Sequence, residues 1–226
     1  MNERKIKIME MTKQEFLSKV DHSLLKPQLT REEIMEGLQF AKENHCASVC
    51  INPCNLDMAR EVLAGTDVKI GTVIGFPSGA HTTFSKVAEA VDAYARGAVE
   101  LDMVIDIGAL RNGEYEDVKK DIEAVVNATP GIVKVILETA FLTKEEIRKG
   151  CELTEEAGAA YVKTSTGFAP SGAAAEDIRL MRETVSEKVH VKAAGGINNL
   201  ADCMAMIEAG SDRIGISRTK AILEEF

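Results

Sequence analysis

The chain reads as a single (β/α)8 barrel, and three observations point to it. Strand-like and helix-like stretches alternate along the whole chain, giving eight strands in a weak repeat of one strand and one helix per unit. Several of the strands carry charges at every second position, whereas a doubly wound open sheet, buried on both faces, needs nearly continuous apolar runs. Three helical patterns stop at a glycine, Gly97, Gly158 or Gly210, which fits the left-handed turn that closes a helix before the next strand.

The elements follow in order. One domain is expected over residues 1–226, opening with a polar leader of about 15 residues that has no charged-then-apolar signal pattern. Val20 to Leu25 is the first strand, ended by Lys26 and Pro27. Thr30 and Glu33 then form a capping box ahead of a helix whose apolar face is Ile34, Leu38 and Ala41. Further strands are expected at 47–52, 69–75, 98–105, 133–139, 161–166, 189–194 and 213–217. Between them, apolar residues three and four apart mark helix faces: Val87, Val91 and Tyr94; Val118, Ile122 and Val125; Ile178, Met181 and Val185. Thr143 and Glu146 make a second capping box.

Composition narrows the function. The 226 residues are 45% hydrophobic, lack Trp and carry a formal charge of -9, which argues against nucleic acid or an anionic membrane as partner. No apolar run approaches the roughly 18 residues of a membrane span. Five cysteines, an odd number, and the absence of a signal pattern predict a cytoplasmic protein with reduced thiols. Cys46, Cys50 and Cys54 recur every fourth residue, but a strand and Pro53 interrupt the segment, so no metal site is expected there.

The charged strand positions carry the chemistry. Glu100 and Asp102 share one face of their strand, Lys134 and Glu138 one face of theirs, and Lys192 opposes Val191 and Ala193. Alternation lets all of them point into the barrel while the apolar set meets the helices. Each needs a partner to offset burial, which marks the interior as a working site. Lys163 lies in the short run Tyr-Val-Lys-Thr-Ser-Thr, where desolvation lowers a lysine's pKa and makes it an amine nucleophile. Lys163 and Lys192 fall at matching places on the sixth and seventh strands, so a second cation pushes the same way. Asp102 is expected to face them across the barrel. Amine, cation and carboxylate suit carbinolamine formation, dehydration to an imine and proton transfer at the adjacent carbon, which is class I aldolase chemistry and needs neither metal nor other cofactor.

Glycines follow the last two strands: Gly195 and Gly196 after the seventh, and Gly215 beside Ser217 in the eighth. That region of many barrels binds phosphate through backbone N–H groups. Gly167, at the break after the lysine-bearing strand, joins this candidate phosphate set, as does Arg218. Arg218 is expected either to reach the anion or to start the final helix and point to solvent.

The sequence resembles the deoxyribose-phosphate aldolase family from about Val20 to Ser217. The motifs that carry the resemblance are Asp-His-Ser-Leu-Leu-Lys-Pro at 21–27, Ser-Val-Cys-Ile-Asn-Pro at 48–53, Thr-Val-Ile-Gly-Phe-Pro at 72–77 and Glu-Leu-Asp-Met-Val-Ile at 100–105. Val-Lys-Val-Ile-Leu-Glu-Thr at 133–139, Val-Lys-Thr-Ser-Thr-Gly-Phe at 162–168 and Val-Lys-Ala-Ala-Gly-Gly-Ile at 191–197 complete them. The resemblance implies a (β/α)8 enzyme that cleaves 2-deoxyribose 5-phosphate to glyceraldehyde 3-phosphate and acetaldehyde. It implies Lys163 as the Schiff-base lysine, Lys192 as the lysine that lowers its pKa and Asp102 as the proton donor and acceptor. Asp21, Cys50 and Lys134 match polar residues lining the family's site, and Thr166 lies inside the lysine-bearing motif. The departures cluster at the phosphate end: Asn198 after the Gly-Gly pair, Gly-Ile-Ser-Arg-Thr at 215–219, and Ala-Pro-Ser-Gly-Ala at 169–173. A Schiff-base aldolase for another sugar, and a barrel that binds a sugar phosphate without turnover, are the competing readings. A homo-oligomer, dimer or tetramer, is compatible with apolar patches on the outer faces of barrel helices.

Overall fold

A computed structural model describes residues 11–226. Eight parallel strands close in sequence order, with β8 pairing back onto β1. They are β1 (Val20–Leu24), β2 (Ser48–Ile51), β3 (Lys69–Ile74), β4 (Glu100–Val104), β5 (Ile132–Ile136), β6 (Tyr161–Lys163), β7 (His190–Ala194) and β8 (Arg213–Ile216). The helices are α1 (Lys13–Leu17), α2 (Arg31–Glu43), α3 (Leu56–Val62), α4 (Thr83–Ala95), α5 (Ile107–Asn112), α6 (Tyr115–Ala128), α7 (Lys144–Glu156), α8 (Ala175–Thr184), α9 (Leu200–Ala209) and α10 (Thr219–Leu223). The expected polar leader lies, through residue 10, outside the described residues. Thr12 caps α1, whose Phe16 and Leu17 are buried.

The local rules read from the sequence explain where elements begin and end. Thr30 and Thr143 each accept from the backbone N–H three residues on, while Glu33 and Glu146 return the bond to the cap, completing both boxes. Gly97, Gly158 and Gly210 all take positive φ at the helix ends. Residues facing outward from the strands, among them Val49, Leu101, Met103, Val135, Val162, Val191 and Ile214, are fully buried under the helices. Each such side chain contributes roughly 1.5–3 kcal/mol through burial. His22 belongs to this layer: it packs on Phe40, with ring centroids 5.3 Å apart, and its Nδ1 lies 2.9 Å from Thr219 Oγ1.

Three expectations need correction. The sixth strand stops at Lys163 because the Thr164 side chain takes over the ladder, its Oγ1 donating to the Ala194 carbonyl and accepting from the Ala194 N–H, both at 3.1 Å. The fifth strand ends at Ile136, and Glu138 adopts the left-handed region with φ 58°, so its carboxylate leaves the barrel interior and accepts from the Thr166 N–H and hydroxyl. The fully buried face of α4 is Lys86, Ala90 and Ala93; of the expected residues Val87 packs half-buried against the core, while Val91 and Tyr94 are exposed. Lys86 sets this rotation by pairing at 2.6 Å with Asp121 of α6, a partner invisible to local periodicity.

Candidate active site

The barrel interior holds a continuous ladder of charge. Arg213, the first residue of β8, donates to Asp21 through Nε at 2.8 Å and to Glu100 through Nη2 at 3.0 Å. Lys134 on β5 bridges the same carboxylates, at 2.5 Å to Glu100 and 2.9 Å to Asp21. Lys192 on β7 continues upward, 2.5 Å from Asp21 and 2.6 Å from Asp102. Lys163, last residue of β6, closes the ladder by donating to the same Asp102 Oδ2 at 2.8 Å. The strand register produces this stacking, since Lys163 pairs with Lys192 across β6 and β7, and Lys192 with Arg213 across β7 and β8.

Charge balance decides which group is unusual. Asp21, Glu100 and Asp102 are three carboxylates facing four basic groups, Lys134, Lys163, Lys192 and Arg213, and all are buried. An unpaired ammonium in such a place gives up its proton rather than stay charged. Burial would also depress Lys134 and Lys192, but each touches at least two carboxylates, which hold both above the ordinary lysine value. Lys163 has Asp102 as its one carboxylate contact, and burial, reinforced by Lys192, lowers its pKa. Burial alone would raise Asp102, yet Lys134, Lys163 and Lys192 hold it below the usual carboxylate range. Its Oδ1 accepts no hydrogen bond among the described residues but forms an ion pair with Lys134 Nζ 3.2 Å away. Cys50, inside β2, lies 3.9 Å from Asp102, and burial with that negative neighbour pushes its thiol up to about 11, so it stays protonated.

Above Lys163 opens a cavity of about 310 Å³ at the C-terminal end of the strands. Its wall includes Thr166, Gly167, Gly195, Gly196, Ser217 and Arg218, so the lysine and the expected phosphate residues share one space. Gly215 also reaches it, and a Cβ there would crowd both Lys192 Cε and Ala194 Cβ at 3.2 Å. Gly195 is pinned from outside: a Cβ on Gly172 would meet its carbonyl at 2.2 Å, and Ala173 donates to that carbonyl at 2.9 Å. Asp21 and Lys134 lie below the cavity and act on it through Lys192 and Asp102. Thr166 is held by Glu138, and in turn its hydroxyl accepts from the Phe168 N–H at 3.0 Å. Ser217 and Arg218 are exposed at the mouth, and Arg218 makes no ion pair among the described residues. A larger cleft, about 990 Å³, lies outside the barrel between α2 and α10 and holds none of the barrel lysines.

Sequence reasoning passed over Arg213 and Gly172. Arg213 was legible in principle, because it has the same parity as the inward Gly215 two residues on. Gly172 carried no signal, since its need arises from a contact with a glycine on another loop.

A buried amine of lowered pKa, a carboxylate beside it and a cavity at the C-terminal face define a (β/α)8 aldolase site. Comparison with known proteins agrees. The DeoC/LacD family aldolase pattern matches residues 11–224, and the chain belongs to this family. It is 56% identical over 211 residues to a deoxyribose-phosphate aldolase of Thermoanaerobacter pseudethanolicus, covering 92% of this chain and 95% of that one. To the enzyme of the same name from Enterococcus faecalis it is 54% identical, covering 90% and 94%. The solved tetrameric deoxyribose phosphate aldolase of Aeropyrum pernix superposes with a TM-score of 0.91 at 27% identity, covering 99% of this chain and 96% of that one.

Proposed function

We propose that the chain cleaves 2-deoxyribose 5-phosphate to glyceraldehyde 3-phosphate and acetaldehyde through a Schiff base on Lys163. The observation that carries the reading is the shared Asp102 Oδ2, on which Lys163 and Lys192 converge at 2.8 and 2.6 Å beneath the cavity. The neutral Lys163 amine attacks the aldehyde carbon C1, and loss of water gives a protonated imine. Removal of the C3 hydroxyl proton then breaks the C2–C3 bond, its electrons passing into the imine to leave an enamine and release glyceraldehyde 3-phosphate. Protonation of the enamine carbon and hydrolysis return acetaldehyde and the amine. Asp102 is the acid and base for these transfers, and Lys192 keeps Lys163 neutral.

At the other end of the substrate, the phosphate would meet the backbone of Gly167, Gly195 and Gly196 and the Ser217 and Arg218 side chains, a reading supported by their sharing one cavity wall with Lys163. All five cysteines are unpaired, four of them buried, which suits a cytoplasmic protein. No described helix is long and apolar enough to cross a membrane. The test is incubation with 2-deoxyribose 5-phosphate and borohydride. Acetaldehyde should be released without reductant, and with it a reduced adduct should map to Lys163. An adduct confined to Lys192 or Lys134 would reverse the assignment, and absence of acetaldehyde would refute the activity.

A further inference from the structure

Glu138 is a buried carboxylate that the proposed chemistry leaves unused. It is 2% exposed and makes no ion pair among the described residues. Such a group is costly to keep unless its oxygens are satisfied, and a left-handed backbone adds to the cost in a residue that has a Cβ. With φ 58°, Glu138 is one of two described non-glycine residues at positive φ. Both costs lead to one loop. The carboxylate accepts from the Thr166 N–H at 3.2 Å and from the Thr166 hydroxyl, whose oxygen accepts in turn from the Phe168 N–H at 3.0 Å. The residues on either side of Glu138 stitch the same turn to the lysine-bearing segment. The Leu137 N–H donates to the Lys163 carbonyl at 2.9 Å, and the Thr139 N–H to the Thr164 carbonyl at 3.0 Å.

We infer that Glu138 is a positioning residue: its carboxylate fixes the Thr166–Phe168 wall of the cavity and with it the phosphate end of the site, an inference that rests on the reaction proposed above. Thr166, Gly167 and Phe168 all line the cavity together with Lys163. An ionised carboxylate only accepts, so the Thr166 proton is committed to Glu138 and the Thr166 oxygen is left to hold the Phe168 N–H. Those two amides are thereby spent inside the loop. The amide between them, that of Gly167, has no acceptor among the described residues and remains for an anion. Gly167 is also seated against the loop after β7, where a Cβ on Gly195 would come within 3.3 Å of its Cα. Phe168 packs edge-on against Phe76, ring centroids 5.4 Å apart, which leaves the loop little freedom once Glu138 holds its other end.

Two variants separate the bond from the backbone and the charge. Glu138→Gly keeps the left-handed turn without steric penalty and removes the carboxylate, whereas Glu138→Gln keeps an accepting oxygen and removes the charge. In Glu138→Gly the Thr166 and Phe168 amides should exchange hydrogen faster, and KM for 2-deoxyribose 5-phosphate should rise about 10-fold or more with kcat near the parent's. Borohydride trapping of acetaldehyde on Lys163 should keep the parent's rate, since β6 pairing and Asp102 hold that lysine independently. Glu138→Gln should recover most of the KM loss. A parental KM in Glu138→Gly, an equal loss in acetaldehyde trapping, or a Glu138→Gln chain no better than Glu138→Gly would each overturn the inference. Should the parent release no acetaldehyde from the sugar phosphate, the proposed reaction fails, and amide exchange still decides the role of Glu138: unchanged exchange in Glu138→Gly refutes it.

Discussion

Replacing Lys192 by Met isolates the part of the site that sets the protonation of Lys163. Lys163 and Lys192 bond the same Asp102 oxygen at 2.8 and 2.6 Å, so their nitrogens are no more than about 5.4 Å apart. At an effective dielectric of about 20, two positive charges at that separation repel by about 3 kcal/mol. That repulsion pushes the Lys163 pKa down, in the same direction as burial. Without it, Lys163 should hold its proton more tightly, and imine formation should fall steeply near neutral pH and recover toward alkaline conditions. The assay is kcat/KM for 2-deoxyribose 5-phosphate against pH in parent and variant, with the rate of borohydride-trapped imine as a second readout. A variant whose activity falls by the same factor at every pH has lost a structural strut, and the electrostatic account of Lys192 would be wrong. The Met side chain keeps most of the aliphatic volume beside Gly215, so packing should change little.

The other expectations follow from the same contacts. Asp102→Asn preserves shape but cannot accept a proton, so turnover should drop about 10²-fold and solvent exchange of the acetaldehyde methyl protons should slow with it. Normal exchange would place the base elsewhere. Arg218→Ala should cost about 10- to 100-fold in kcat/KM on the phosphorylated sugar and nothing on unphosphorylated deoxyribose, and equal kinetics on both would show that Arg218 does not reach the anion. His22 is held near 4 by burial, below its unfolded value of 6.5. The unfolded chain therefore binds the extra proton, so this contribution to stability is level above pH 6.5 and falls as pH drops toward 4. About 2 kcal/mol should be lost by pH 5, read from urea unfolding, and His22→Asn should flatten that dependence.

Much of the barrel was legible because its determinants are local. Capping boxes, closing glycines and charge alternation each act within a few residues, so the Thr30 and Thr143 starts and the inward set Asp102, Lys134 and Lys192 could be read directly. What escaped depends on partners far along the chain. The face of α4 is chosen by Asp121, the end of β6 by Ala194, and the direction of Glu138 by Thr166. Bulk apolar residues outweigh a lysine in any periodicity count, so Val91 and Tyr94 were read as core although Lys86 takes that place. Gly172 was silent for the same reason: the atom it must avoid is the Gly195 carbonyl.

Arg213 matters to the chemistry although it stands at the opposite end of the ladder from Lys163. A barrel interior with one more basic group than carboxylates must leave one base unprotonated, and the physical question is which. A guanidinium cannot be that group, because it keeps its proton in proteins, and although burial pulls Arg213 down the contacts with Asp21 and Glu100 raise it on balance. Placing arginine at the closed end commits one positive charge there permanently. Lys134 meets three carboxylates and Lys192 two, so removing a proton from either would break at least two ion pairs. Among the described residues Lys163 holds a single ion pair, so deprotonating it costs least, and it is the one of these barrel bases that lines the cavity. The proton deficit is thereby directed to the barrel lysine that borders the cavity.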